Sequence, residues 1–175
     1  IANSKTGVAS AGIMAFFQSL HLDHLERLQS IFSSMDLTES QFVSDRRQFH
    51  TLELVNLCHD KAARISDQSF SNYLIKYVFV DKKIIPLNQM IKDGFFINKE
   101  KTISACNTLL NVFSDRTVQD YVEEQVKIVW DCLRPDTDNF FSFFKAFYMV
   151  RPTDTLVLLN ELIDLEPLHK FDVRS

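Results

Sequence analysis

The stretch 116–133, RTVQDYVEEQVKIVWDCL, decides the fold class. Val118, Val122, Val126, Val129 and Leu133 return at intervals of three and four, which lays them along one face of a helix with 3.6 residues per turn. Gln119, Asp120, Glu123, Lys127 and Asp131 occupy the other faces. Asp115 stands where an N-cap is needed, and Glu123 precedes Lys127 at the supporting i,i+4 distance. The spacing predicts a helix over 116–133.

Working outward, the same periodicity predicts a helix over 100–113 with Ile103, Cys106, Leu110 and Phe113 inward, and one over 22–35 with Leu25, Leu28, Phe32 and Met35 inward. Thr38 with Gln41 three residues later reads as a capping box that opens a long helix through about residue 64, its stripe formed by Phe42, Phe49, Leu52, Val55 and Cys58. Pro86 suits the first turn of a helix reaching about Gly94, and Asp138 and Thr153 are candidate caps for the last two helices. Residues 73–80, YLIKYVFV, favour a strand on local preference, but a lone strand has no pairing partner, so a buried helix is expected there. Three glycines and four prolines leave hairpin turns scarce. The expected architecture is all-α, a single helical bundle of about eight to nine helices over 1–175.

Composition narrows the function classes. The chain opens at Ile1, no basic stretch leads into an apolar run with a cleavage site, and it reads as a piece of a longer protein. Lys76, Lys145 and Asn160 interrupt the most apolar stretches, so a membrane span is not expected. Cys58, Cys106 and Cys132 are an odd number without framework spacing, as reduced intracellular thiols are. A net charge of −4 and scattered basic residues disfavour direct nucleic-acid binding.

Three groups of residues are candidates for chemistry or binding. His21 and His24 fall on one side of a helix, with Cys58 and His59 further along; zinc takes such nitrogen and sulfur ligands, while ordinary surface histidines at a helix start are the plainer reading. A cysteine nucleophile needs a base within hydrogen-bond reach, and Cys58 on the apolar stripe next to His59 does not supply one by adjacency. Glu123, Glu124, Asp136 and Asp138 read as solvated surface charge, and no phosphate-cradling, dinucleotide, metalloprotease or calcium motif occurs, so no catalytic residue is assigned. The third group is aromatic. Phe140, Phe141, Phe143, Phe144, Phe147, Tyr148 and Met149 make a segment apolar nearly all round, either a central core helix or a face that takes a partner's helix or a second copy. The first helix, with Ile13, Met14, Phe16, Phe17 and Leu20 after the small residues 9–12, poses the same choice.

The apolar helix at 13–17 (IMAFF), the leucine-rich helix at 24–32 (HLERLQSIF) and Ile85-Pro86-Leu87 opening a mid-chain helix follow one another as in the TRF-homology domain, which the chain resembles over roughly 8–133. The resemblance implies an all-helical dimerisation and peptide-docking module of the telomere shelterin complex. The acidic balance suits its bridging type, which has no DNA-binding domain of its own. It implies a nuclear, homodimerising adaptor holding peptides of two other shelterin subunits, a Rap-type adaptor on the duplex side and a subunit that leads to the single-strand binder. It further implies that His21, with His24 as a nearby ligand, shares a zinc ion with a partner peptide. Hydrophobicity nominates Ile13, Phe16, Phe17, Leu20, Phe144 and Phe147 as partner-binding, on helices 11–20 and 140–150. The rival reading is a helical domain enclosing an apolar small molecule in its Phe-rich interior, and a third is a cysteine hydrolase.

Overall fold

A computed structural model describes residues 5–58 and 62–165, the side chains of 22–24 and 165 aside. The chain is all-α, 75% helical with a small three-stranded sheet. In order come α1 (Lys5–Phe17), β1 (Leu20–His21), a 3-10 turn (Leu22–Leu28) running into α2 (Gln29–Ser33), α3 (Glu39–Thr51), β2 (Val55–Cys58), β3 (Ala62–Ile65), α4 (Gln68–Lys76) continued by a π turn (Tyr77–Asp81), α5 (Leu87–Ile97), α6 (Lys99–Asn111), α7 (Arg116–Leu133), α8 (Thr137–Phe147) and α9 (Pro152–Leu165).

Helix α7 spans the expected residues, and Asp115 caps it by accepting a 2.9 Å hydrogen bond from the Thr117 backbone N–H. Its valine stripe and Leu133 are buried as the spacing requires. Lys127 pairs with Asp131 at 3.4 Å, not with the expected Glu123. The strand-like stretch 73–80 is helical, in α4 and the π turn, with Leu74, Ile75, Val78 and Phe79 buried. Thr38 caps α3 through the Gln41 N–H. The last two helices start two residues earlier than expected: Asp136, not Asp138, caps α8, and α9 begins at Pro152, ahead of the expected cap Thr153. In α6 the buried residues are Thr102, Ala105, Cys106 and Leu109, with Ile103, Leu110 and Phe113 packed at its margin, so the face is rotated from the expected one.

The long helix expected through residue 64 ends instead at Thr51. The Glu53 N–H reaches His50 O at 2.9 Å, the Leu54 N–H reaches Phe49 O at 2.9 Å, and Glu53 takes a left-handed φ of 59°. This is a Schellman stop, with glutamate where glycine is usual. The chain then turns back as the β2–β3 antiparallel hairpin, joined on its β3 side by β1. Val55 remains buried, but Leu52 and Cys58, expected on the apolar stripe, are exposed.

Helix α1 is the centre of the molecule. It lies against α3, α4, α6, β3 and the π turn, and nine of its residues, from Gly7 to Phe17, are buried. Its small residues permit that closeness: a Cβ built on Gly12 would come within 2.6 Å of Val78 Cγ1. Inside this packing Ser10 donates to Asp45 at 2.7 Å and Gln41 donates to the other Asp45 oxygen at 2.8 Å, which satisfies a buried carboxylate between α1 and α3. Phe16 meets Phe17 and Phe79 at ring centroids 5.5 and 5.3 Å apart. A second aromatic layer joins α5 to α8, with Phe143 lying 5.0 Å from Phe95 and 4.6 Å from Phe147.

Candidate docking surface

The apolar residues nominated for binding are those the fold uses for its own core. Ile13, Phe16 and Phe17 are at most 1% exposed, Leu20 4%, Phe147 2% and Phe144 7%. Side chains so placed cannot anchor a partner without opening the fold. Sequence hydrophobicity marks a need for cover, and here the chain itself supplies it.

The uncovered apolar surface lies elsewhere, at the α8–α9 end. Helix α9 carries two apolar stripes one residue out of phase. Thr155, Leu158 and Leu162 pack inward, whereas Leu156, Leu159 and Ile163, with the same three-and-four spacing, face outward with Leu156 and Ile163 each 68% exposed. Tyr148 and Met149, at the α8–α9 corner, and Phe141 on α8 add to the exposed apolar residues of this region. Single exposed apolar residues need no explanation, but a helical stripe of them is the usual form of a helix-docking face.

A second feature is a small apolar cleft of about 90 Å³ between α1, α3, α4 and the hairpin, lined by Ala11, Phe49, Leu54, Val55, Ile65 and Leu74 among others. Its size suits one aliphatic side chain, well under the roughly 300 Å³ at which small-molecule pockets begin.

The sheet brings one pair of metal-ligating candidates together. Ala62 pairs with His21 on one side and with Cys58 on the other, so His21 and Cys58 share a row across three strands, both exposed. Residues directly paired in a sheet point to the same face, so a single alanine separates them there. The side chain of His24 and all of His59 lie outside the described residues. Among the described residues no group of three or more His, Cys, Asp or Glu converges as a metal site, so His21 and Cys58 alone do not complete the tetrahedral set zinc requires.

The thiols are spread out. Cys106 is buried and its pKa is pushed up to about 12 by desolvation, which removes it as a nucleophile at neutral pH. Cys132 is exposed and receives a hydrogen bond of 3.4 Å from Lys92 Nζ, and Cys58 sits at the end of β2. His50 has its Nδ1 2.9 Å from Val55 O, a contact that fastens α3 to β2. Of the surface carboxylates, Glu124 pairs with Arg151 at 3.2 Å and Asp136 serves as a cap. Among the described residues no helix is long and apolar enough to cross a membrane.

Comparison with protein-family models, with curated proteins and with solved structures finds no match to this chain.

Proposed function

We propose that this chain is a non-enzymatic protein-interaction adaptor, which homodimerises and holds peptides of two other proteins. The observation that carries this reading is the outward stripe Leu156–Leu159–Ile163 on α9, continued at the corner by Tyr148 and Met149. An apolar helix face of this kind gains free energy from cover, and a second copy or an amphipathic peptide supplies it. Under the TRF-homology resemblance the adaptor acts in the nucleus as a bridging shelterin subunit, like that of fission yeast. It joins a Rap-type adaptor on the duplex side to the subunit that leads to the single-strand binder. The zinc of that reading sits at His21 with His24 as its nearby ligand, and the partner peptide supplies the rest.

The test is sedimentation of the wild type beside Leu156→Glu/Ile163→Glu, followed by capture of partners from nuclear extract with each. The expected outcome is a wild-type dimer that recovers telomere proteins and a folded variant that does neither. A wild type that stays monomeric and recovers no telomere protein overturns the adaptor reading.

The second reading, an enclosed apolar ligand, finds its place in the apolar cleft among α1, α3, α4 and the hairpin. At about 90 Å³ it holds a fragment no larger than one side chain, and a native mass spectrum retaining a small ligand would promote it.

A further inference from the structure

Helix α9 is held differently from every other long helix. Its inward contacts are Leu158, Thr155 and the partly buried Leu162, and the Thr155 hydroxyl donates to Tyr148 O at 2.7 Å. Between α9 and α7 runs a groove of about 220 Å³ lined by Lys127, Trp130, Arg134, Phe140, Val157 and Leu158 among others. Trp130 is buried at its floor with an indole N–H that has no hydrogen-bond partner, although buried donors are ordinarily satisfied. The fastenings across this groove lie at the surface. Arg134 pairs with Glu161, both about half exposed, and Arg151, at the start of α9 and a quarter exposed, pairs with the exposed Glu124 on α7 and with Asp154 on α9 itself. Exposed ion pairs of this kind contribute little and are screened by salt. Only Leu158, Thr155 and the partly buried Leu162 of α9 face the bundle, so lifting the helix breaks few apolar contacts of its own.

We infer that α9 is a displaceable strap, which opens as a unit from the α7–α8 face while α1–α8 stay folded, uncovering the aromatic floor of Trp130, Phe140 and Phe144. That floor is already built: Phe144 lies 5.6 Å from Trp130 and 5.8 Å from Phe140, ring centre to ring centre. The inference stands on the seat of α9 and holds whatever docks on its outward stripe.

The test uses the intact chain and two readouts. Native-state hydrogen exchange should show the interior amides of α9 exchanging at one common rate, about tenfold or more faster than those of α7. Trp130 is the chain's one tryptophan, so its fluorescence reports the floor directly. Acrylamide quenching should rise about twofold or more in Arg134→Ala/Arg151→Ala, and in the wild type at high salt, with the far-ultraviolet dichroism of the bundle retained. Protection in α9 equal to that in α7 overturns the strap. So does a rate that climbs steadily toward residue 165, which is end fraying, or quenching that salt and the double variant leave unchanged.

Discussion

Helices α1 and α9 are both apolar, and the fold treats them in opposite ways. Helix α1 is enclosed by three helices, a strand and the π turn, and its small residues let those neighbours approach to contact distance. Helix α9 rests on one neighbouring face through a single stripe and leaves a second stripe in water. Apolar character in a sequence therefore states that a helix must be covered and leaves open what covers it. For α1 the cover is the chain itself. For α9 half of it is supplied from outside or not at all.

That contrast breaks most visibly at Phe17. It is 1% exposed in the core, so Phe17→Ala should lower unfolding stability by about 3–5 kcal/mol, read from a urea midpoint, through lost transfer energy and a cavity. A Phe17→Ala variant of native stability would mean that α1 is not the core helix described. Gly12→Ala tests the closeness of α1 to Val78, whose Cβ also lies within 2.9 Å of the added methyl position. A β-branched neighbour has no flexible end to withdraw, so backbone must shift and the expected cost is about 1–3 kcal/mol, seen as a lower melting temperature. Relieving strain beside α1 works in the other direction. Glu53 is exposed and left-handed at the end of α3, so Glu53→Gly should stabilise by about 0.5–1 kcal/mol in the same urea assay.

On the α9 side the expectation is the reverse of Phe17. Leu156→Glu should change stability by no more than about 0.5 kcal/mol, because the side chain is already in water, while abolishing self-association. A large loss of stability would show that the outward stripe is packed. The smallest effect belongs to α7, on which α9 lies. The Asp115 carboxyl is held below its ordinary pKa, first by the Thr117 side-chain hydroxyl and then by the Thr117 backbone N–H. A depressed carboxylate stabilises the folded state above its unfolded pKa, and that contribution is lost as pH falls through the folded value. Asp115→Asn should flatten this acid limb of urea stability, and a slope identical to the wild type would remove the cap from the account.

How far the sequence could be read follows from which signals the chain uses. Periodicity located α7 and its buried valines, and 73–80 is helical as expected, although the premise that no other strand exists fails at the β1–β3–β2 sheet. The hairpin is not legible in the sequence because its stop signal is Glu53. Gln18, Asp36 and Lys83 also take left-handed φ, while no glycine among the described residues does. Gly7 and Gly12 lie within α1 and Gly94 within α5, two of them placed where a Cβ would meet a neighbour at 3.0 Å or less. The usual punctuation is thus spent on packing, and ordinary residues end the helices. The docking candidates are buried in the core for a related reason. Phe17 and Ile163 look alike in one dimension, and their exposure is set by residues far away in the chain.

By itself the sequence determined the helical class, the position and buried face of α7, and the caps at Thr38 and Asp115, because these depend on residues a few positions apart. Only the tertiary structure decided that the chain turns back at Glu53, that α1 is the core, that His21 and Cys58 share a row of one sheet, and that the outward stripe of α9 lies open. Burial is a sum over contacts between distant segments, and local spacing carries no record of that sum.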